Sequence, residues 1–317
     1  MPASPDSASF QAQFERRWAH LSDPHVRTLA WLLDAPGLLD PEAPQWQGRI
    51  ATLEPPGAAT CHWLTALDRA PQALHAFLGL QPFTRLGRYA EKLMAFYLSE
   101  QGRLVAHGVQ VRSAGGATLG EFDFLVRGGG NALLHWEFAT KLYLLETSGD
   151  GCQADYFVGP NLADTLGAKM RKIMDRQLAL SLHPAAQAYL PAPVAAAQAL
   201  VKGWLFYHER TPLQPSGVSR GHCRGFWCAL EELGDIAFEH AIVLPRLEWL
   251  APAKVASEKA ADRNTLSGTL HAHFAADGMP VLIALLATRD GWMMEIDRGF
   301  VVPNDWRNRA ARRIRNG

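Results

Sequence analysis

Residues 120–145 read GEFDFLVRGGGNALLHWEFATKLYLL, and this stretch decides the fold. Apolar and polar residues alternate over 119–126 and again over 132–145, which is the period of a half-buried β-strand. The glycines at 128–130 separate the two runs, and a short glycine-rich break of this kind indicates a hairpin turn. The stretch therefore predicts two neighbouring antiparallel strands.

The position of the turn decides which side chains share a face of this hairpin. If the turn centres near Gly130, paired positions sum to 260, and Asp123 lies opposite Glu137 with the two Cβ atoms about 5 Å apart. One face then carries the polar side chains Glu121, Asp123, His135, Glu137, Lys141 and Tyr143. The other face carries the apolar side chains Phe122, Phe124, Val126, Trp136, Phe138, Leu142 and Leu144. A slip of one residue would reverse the faces, so the prediction depends on this register.

The charged face indicates a metal site, because two carboxylates that face each other in a half-buried sheet repel and need compensation. A divalent cation supplies it, and Mg²⁺ typically takes one or two carboxylates plus substrate phosphates. Lys141 lies on the same face, four residues after Glu137, where its ammonium group can orient water or stabilise charge on a phosphorane. The alternative is a solvated acid–base face in which Lys141 pairs with Glu121 or Glu137.

A helix and a further strand are predicted before the hairpin. Residues 85–101 carry an amphipathic pattern that Gly102 ends, and residues 104–111 read as a strand. With the helix predicted after the hairpin, the order is helix, three strands, helix.

The segment after the hairpin is a loop over 146–160 followed by a long helix over 162–182. Asn161 is a candidate N-cap, with Asp164 in the first turn. The free N–H groups of a helix N-terminus suit a phosphate, so Asn161 is a candidate phosphate-binding residue. An ordinary helix cap is the alternative.

The rest of the chain predicts a helical N-terminal region and a C-terminal extension. The early apolar residues recur at helical spacing, a Pro- and Gly-rich loop covers 36–56, and a helix follows over 63–80. Later strand-like runs lie at 200–207, 225–228, 240–244, 281–287 and 292–296. A Pro/Ala stretch over 184–197 reads as a link between two halves. We therefore predict three regions: helices over 1–80, an α/β core over 81–210, and an α/β extension packed on it over 211–317.

The charge balance excludes a global attraction to nucleic acid or to an anionic membrane. Lys plus Arg and Asp plus Glu are 31 each, so any nucleic-acid contact needs a local patch. Candidates for a basic rim on the two helices are Arg85, Arg88, Lys92, Lys169, Arg171 and Lys172, although solvated helix faces explain them equally well. The tail from Trp306 holds Arg307, Arg309, Arg312, Arg313 and Arg315. A solvated, frayed terminus is the favoured interpretation of this tail, and a nucleic-acid-binding tail is the alternative.

No membrane or secretion signal is evident in the sequence. The apolar run over 281–287 is too short to span a bilayer, and the start MPASPDSASF lacks the basic and apolar regions of a signal peptide. We therefore expect a cytoplasmic protein with no membrane partner.

The hairpin and its flanking helices resemble the PD-(D/E)XK phosphodiesterase superfamily, which includes restriction enzymes, resolvases and RecB-type exonucleases. The resemblance rests on a helix bearing Glu91, on GEFD at 120–123, on HWEFATK at 135–141 and on a helix bearing Lys169 and Gln177. It covers about residues 85–182. It implies an α/β (α+β) fold with a nuclease-like core, in which helices flank a mixed central sheet.

The resemblance also implies roles for individual residues. Asp123 and Glu137 match the two acidic metal ligands, and Glu91 matches the acid on the first helix that can complete a metal shell. Gln177 resembles the glutamine that RecB-like members place on the following helix. Glu121 lies on the same face and is a candidate supporting residue.

The lysine of the motif is displaced in this chain. It normally stands two residues after the second acid, where this sequence has Ala139. Lys141 keeps the same face but lies about 6.6 Å further along the strand. Lys169, on the helix expected beside the site, is a candidate substitute.

The chain as a whole resembles the bacterial domain-of-unknown-function family 1853. The segments that carry this resemblance are GPNLADTLGAKM (159–170), VKGWLFY (201–207) and RGFVVPNDW (298–306). Together the resemblances imply a phosphodiesterase that depends on Mg²⁺ (or Mn²⁺) and acts on DNA or RNA. The alternative is a catalytically degenerate protein of the same fold with a binding or scaffold role, which Ala139 and the neutral net charge favour.

Overall fold

The computed structural model describes residues 9–79, 83–146, 153–208 and 214–315. Its α-helices are α1 (Phe10–Trp18), α2 (Pro24–Asp34), α3 (Ala58–Arg69), α4 (Gln72–Leu78), α5 (Leu86–Glu100), α6 (Leu166–Lys172), α7 (Arg263–Ala276) and α8 (Trp306–Arg315). Its strands are β1 (Leu104–Arg112), β2 (Thr118–Arg127), β3 (Leu133–Leu145), β4 (Phe157–Val158), β5 (Val194–Tyr207), β6 (Cys223–Ala229), β7 (His240–Val243), β8 (Lys254–Val255), β9 (Ala261–Asp262), β10 (Val281–Arg289) and β11 (Trp292–Val302). Within these ranges, none of the helices has the length and apolar character that a membrane span requires.

One mixed sheet of eleven strands organises these elements, in the order β1-β2-β3-β5-β6-β11-β10-β7-β9. The first three strands are antiparallel neighbours, whereas β3, β5, β6 and β11 run parallel to one another. The short strands β4 and β8 pair with β3 and β11 outside this order. The sheet confirms a mixed α/β architecture, and it continues across the predicted boundary at 210/211.

Helices cover both faces of the sheet around β3. Helices α1, α2 and α5 pack on one face, in a core that includes Trp31, Phe138 and Trp204. Helix α6 packs on the other face, with Ala139 and Tyr143. Successive strand residues point to opposite faces, so Glu137 and Lys141 lie on the α6 side.

The N-terminal region is helical, as predicted. The side chain of Asp23 accepts two backbone N–H groups of α2, and Pro24 stands at the first helical position, so sequence and structure agree on this start. The helix predicted over 63–80 is instead two helices, α3 and α4. Pro71 separates them because proline cannot donate the helical hydrogen bond. Leu80 lies outside the described residues.

The β2–β3 hairpin has the predicted register. Its partners are Phe124 and Trp136, Leu125 and His135, Val126 and Leu134, and Arg127 and Leu133, each summing to 260. In the turn, Gly130 and Asn131 have φ angles of 62° and 64°. Glycine reaches positive φ without steric cost and asparagine tolerates it, which explains why the break at 128–130 makes this turn.

The predicted face assignment is wrong at Phe122. Phe124 packs in the core beneath α5, whereas Phe122 packs with Leu125 in a separate cluster. The hydrogen-bonded ladder between β2 and β3 ends at Phe124. On the other side of β2, Gly108 of β1 has a φ of 65° and lies between Val109 and His107, the partners of Phe122 and Phe124. The strict alternation therefore breaks at Asp123. The assignment of Glu121 to the face of Glu137 and Lys141 is wrong for the same reason, because Glu121 contacts Arg88 of α5.

The helical segment after β3 begins later than predicted. The start of α6 is capped by Thr165, whose hydroxyl accepts the N–H of Ala168. Asn161 is therefore not the N-cap, and Asp164 precedes the helix instead of lying in its first turn. Because Thr165 caps the helix, Asn161 and Asp164 both belong to the loop before α6. Residues 147–152 of the predicted loop lie outside the described part of the chain.

The helical segment also changes its winding after α6. A π-helical turn over Ile173–Gln177 follows, and then a 3₁₀ turn over Leu178–Leu182. A π turn rotates the side chains that follow it and often marks a functional site. Here Gln177 is the residue that ends the turn.

The Pro/Ala stretch predicted as a link is only partly a link. A 3₁₀ turn covers Pro184–Tyr189, but β5 begins at Val194 and pairs with β3 from there onward. The alanines concealed this part of the strand, because alanine is a weak strand former.

Through residue 315, the last one that the structure describes, the C-terminal tail is helical and not frayed as predicted. It forms α8, in which Trp306 and Ala310 are fully or almost fully buried. The Trp306 indole N–H donates to the carbonyl of Pro160 at 2.8 Å, which ties α8 to the loop before α6. An apolar stripe through Trp306, Ala310 and Ala311 explains the docking.

Candidate active site

Six of the residues predicted for the site line one cavity of about 350 Å³: Glu91, Asp123, Glu137, Lys141, Lys169 and Gln177. We call this cavity the acid pocket. It lies where α5, β2, β3 and the helical segment that begins with α6 meet, so the folded chain brings together residues that span 87 positions of sequence.

Asp123 lies at the point where β2 separates from β3. Its Oδ2 accepts the backbone N–H of Phe138 at 3.0 Å, in place of a strand-to-strand bond beyond the last pair, Phe124 and Trp136. The separation of the strands therefore opens the pocket and fixes the aspartate at its edge.

Two further carboxylates accompany Asp123. Carboxylate oxygens of Glu91, Glu121 and Asp123 lie within 4.8 Å of one another. The guanidinium of Arg88 contacts Glu91 at 3.3 Å and Glu121 at 3.1 Å, so it neutralises part of this charge. His107 adds a contact of 3.0 Å to Glu91. Glu121 thus belongs to the acidic cluster, although it does not itself line the acid pocket.

Glu137 is held by two polar side chains. The Nε2 atom of His135 lies 2.9 Å from Oε1 of Glu137, and the Gln177 amide donates to Oε2. Burial lowers the pKa of His135 to about 4, so this imidazole is neutral and donates its Nε2 proton. Gln177 is the last residue of the π turn that follows α6.

The two acids of the hairpin are hard to ionise together. Burial raises the pKa of Asp123 to about 7, with the charge of Glu137 as the next cause and the Phe138 N–H opposing them. Burial likewise raises the pKa of Glu137 to about 7. The positive charge of Lys169 and hydrogen bonds with Asp123 and Gln177 lower it in part. In the protein without a bound cation, the pair therefore carries unfavourable negative charge at neutral pH.

Lys141 and Ala139 both line the acid pocket, so the displaced lysine reaches the site despite its register. Burial lowers the pKa of Lys141 to about 8, and the nearby charge of Lys169 lowers it further, while Asp164 and Asp123 oppose the shift. An amine of this pKa exists in both protonation states near neutral pH, which suits a group that transfers protons.

A larger cavity of about 950 Å³ adjoins the acid pocket and shares Arg85, Gly87, Thr140 and Lys141 with it. We call it the side groove. Asn161 lines this groove and not the acid pocket. Its side chain accepts the N–H of Ala163, as expected for a residue that orders its own loop.

The basic rim predicted on the two helices forms in part. Arg85, Arg88 and Lys169 line the acid pocket, whereas Lys92 lies over the ring of Phe77 and Arg171 pairs with Asp155. His107 was not predicted. It occupies β1, and only the pairing of β1 with β2 brings it beside Glu91, so no local pattern identifies it.

Comparison with known proteins identifies a family but no characterised relative. Residues 27–302 match the family described as "Domain of unknown function (DUF1853)". No curated protein and no solved structure matches the chain.

Proposed function

The chain belongs to the DUF1853 family, and on that premise we propose that it is a divalent-metal-dependent phosphodiesterase that acts on nucleic acid through a PD-(D/E)XK-like core. The convergence of Asp123, Glu137 and Lys141 in the acid pocket carries this proposal. The order helix, three antiparallel strands, helical segment and parallel strand supports it further.

The residues of the acid pocket fit a divalent cation of the Mg²⁺ type. They offer carboxylate oxygens, which this cation prefers. Oxygens of Glu91 and Asp123 lie within 4.8 Å of each other and of Glu121, which stands beside the pocket. Burial raises the pKa of Asp123 and of Glu137, and the charge of Glu137 raises that of Asp123 further, so a bound cation would offset negative charge that the pocket disfavours. Asp123 and Glu137 would hold the ion, with Glu91 beside them. The bound cation would supply Lewis-acid stabilisation of the charge that develops on the phosphate oxygens.

The remaining side chains act on the phosphate and the water. Arg85 and Lys169 line the pocket and place positive charge where an anionic phosphate enters. Water attacks phosphorus, a new P–O bond forms, and the bond to the leaving oxygen breaks. Neutral Lys141 accepts a proton from the attacking water, and the ammonium form stabilises the negative charge of the transition state.

A cleavage assay tests this proposal. The purified chain is incubated with single- and double-stranded DNA and RNA, in Mg²⁺, in Mn²⁺ and in EDTA. We expect cleavage with either cation, none in EDTA, and none by Asp123→Ala. The control is Asp175→Ala, which removes an exposed aspartate outside the acid pocket and leaves cleavage unchanged. Cleavage by Asp123→Ala at the wild-type rate, or no cleavage of any substrate, refutes the proposal.

A specific observation favours a second candidate function, a binding protein that keeps the fold without the chemistry. Arg88 bridges Glu91 and Glu121, and His135 and Gln177 both bond to Glu137, so these acids already have partners. Ala139 stands where the motif has its lysine. Calorimetric titration with Mg²⁺ separates the two: a degenerate site releases no heat and shows no cation-dependent rise in melting temperature.

A further inference from the structure

The exposed side of α8 carries a cluster of arginines. At 3.6 residues per turn, Arg309, Arg312 and Arg315 share one arc of α8, and the buried Trp306, Ala310 and Ala311 share the opposite arc. All three side chains are exposed. We call these three residues the arginine face.

These arginines make few interactions within the protein. Among the described residues, Arg312 and Arg315 have no hydrogen-bond or ion-pair partner, and Arg309 has one pair, of 3.6 Å, with the exposed Asp305. An exposed pair of this kind contributes little to stability. Arg307 differs, since it lies over the ring of Trp227, so it is not part of the face.

The arginine face is anchored next to the candidate site. Trp306 bonds to the carbonyl of Pro160, and Arg313 donates to the carbonyl of Ala163 at 3.5 Å. Pro160 also lines the side groove, which shares Lys141 with the acid pocket. Helix α8 therefore lies beside the loop before α6, and residues of that loop line the side groove.

We infer that the arginine face binds the phosphodiester backbone of a nucleic acid strand that continues through the side groove to the acid pocket. The course of the strand rests on the proposed function, whereas the binding itself does not require catalysis. The net charge of the chain is zero, so attraction to a polyanion must come from a local cluster such as this one. Arginine suits the role because its planar fork binds phosphate oxygens in pairs.

An anionic lipid surface would present the same sign of charge. The side groove beside α8 favours a strand over a membrane, because a groove that contains Lys141 and Arg85 admits a chain of phosphates and not a flat bilayer.

The test is a salt titration of binding by the full-length chain in EDTA, where no metal-dependent cleavage occurs. Fluorescence anisotropy gives the affinity for labelled single-stranded and duplex oligonucleotides between 50 and 500 mM NaCl. The test variant is Arg309→Gln/Arg312→Gln/Arg315→Gln. The control variant is Arg69→Gln/Arg112→Gln/Arg220→Gln, which removes the same charge from exposed arginines that do not line either cavity.

We expect the test variant to flatten the slope of log K against log [NaCl] by about 2, because each lost phosphate contact removes roughly 0.7–0.9 from it. At 0.1 M salt the affinity then falls on the order of 100-fold. We expect the control variant to bind as the wild type does.

Three outcomes overturn the inference: an unchanged slope in the test variant, an equal effect in the control variant, or binding to phosphatidylserine vesicles without binding to oligonucleotides. The cleavage assay reports separately on the proposed function. If the α8 variant loses salt-dependent binding but the wild type cleaves nothing, only the proposed function is refuted. If cleavage depends on Asp123 but the α8 variant binds as the wild type does, only this inference is refuted.

Discussion

Replacing Asp123 by asparagine should stabilise the metal-free protein while abolishing its activity. The carboxylate is half-buried beside Glu137 and close to Glu91 and Glu121, so at neutral pH its negative charge is disfavoured by loss of solvent and by repulsion. Asparagine has nearly the same shape, and its side-chain oxygen can still accept the Phe138 N–H. The amide group carries no charge and can donate to the neighbouring carboxylates.

The size of the gain follows from the pKa of Asp123, which rises from 3.8 to about 7. The folded protein holds this proton more tightly than the unfolded chain, so the carboxyl group favours folding below pH 3.8. That contribution is lost as the pH rises through about 7. Each pKa unit corresponds to about 1.4 kcal/mol, so the penalty above pH 7 is at most about 4 kcal/mol. Because Glu137 shares the repulsion, we expect the variant to gain about 2–4 kcal/mol at pH 8.

Thermal unfolding in EDTA measures this gain. For 317 residues the unfolding entropy is about 0.7 kcal/mol/K, so the melting temperature of Asp123→Asn should rise by about 3–6 °C at pH 8. At pH 5 the gain should be less than half as large. Asp175→Asn, at an exposed position, should shift the melting temperature by less than 1 °C. With Mg²⁺ added, the wild type should regain stability and the variant should not. A variant that melts below the wild type at pH 8, or a gain independent of pH, refutes the electrostatic account of the site.

Three further predictions concern the lysine, the strand beside it and the C-terminal helix. Lys141→Met should lower the cleavage rate about 100-fold or more in a single-turnover assay, with little change in oligonucleotide affinity, because a proton-transferring group is lost. Gly203→Ala should lower the free energy of unfolding, measured in urea, by about 1–3 kcal/mol, because the added Cβ would lie 2.0 Å from the Lys141 carbonyl oxygen. The control Gly268→Ala, at an open position in the middle of α7, should be neutral or stabilising. Trp306→Ala should destabilise the protein by about 3–5 kcal/mol in the same measurement, an outcome that a frayed C-terminus would not give.

The part of the site that the sequence predicts well is the part that local rules determine. The glycine-containing turn and the period of two in β2 and β3 determine the register, so the pairing of the two strands from the turn to Phe124 and Trp136 could be inferred before any coordinates. Lys141 follows from the same period. The family resemblance, and not a local pattern, predicted Glu91, Lys169 and Gln177. All three residues line the acid pocket.

The features that the sequence did not predict depend on tertiary contacts. The alternation of side chains between the two faces of β2 breaks at Asp123, where β2 separates from β3, and no residue pattern predicts this break. The bridge that Arg88 makes between Glu91 and Glu121 requires α5 to pack against β2. A π turn has no clear sequence signal, so the approach of Gln177 to Glu137 could not be derived from helical periodicity.

The C-terminal helix shows how charge can conceal a packing pattern. Arginines dominate the composition of α8, and they favoured the interpretation of a solvated tail. The contacts that matter are those of Trp306 and two alanines, which form a narrow apolar stripe. The same helix lies beside the loop before α6, which lines the side groove.

The most direct test of the central claim is a crystal structure of the protein soaked in Mn²⁺, examined by anomalous scattering. We predict an anomalous peak between Asp123 and Glu137, with carboxylate oxygens of both residues about 2.1–2.2 Å from the ion. An acid pocket without a peak in crystals that bind Mn²⁺ elsewhere, or a peak that only one of these two carboxylates contacts, would contradict it.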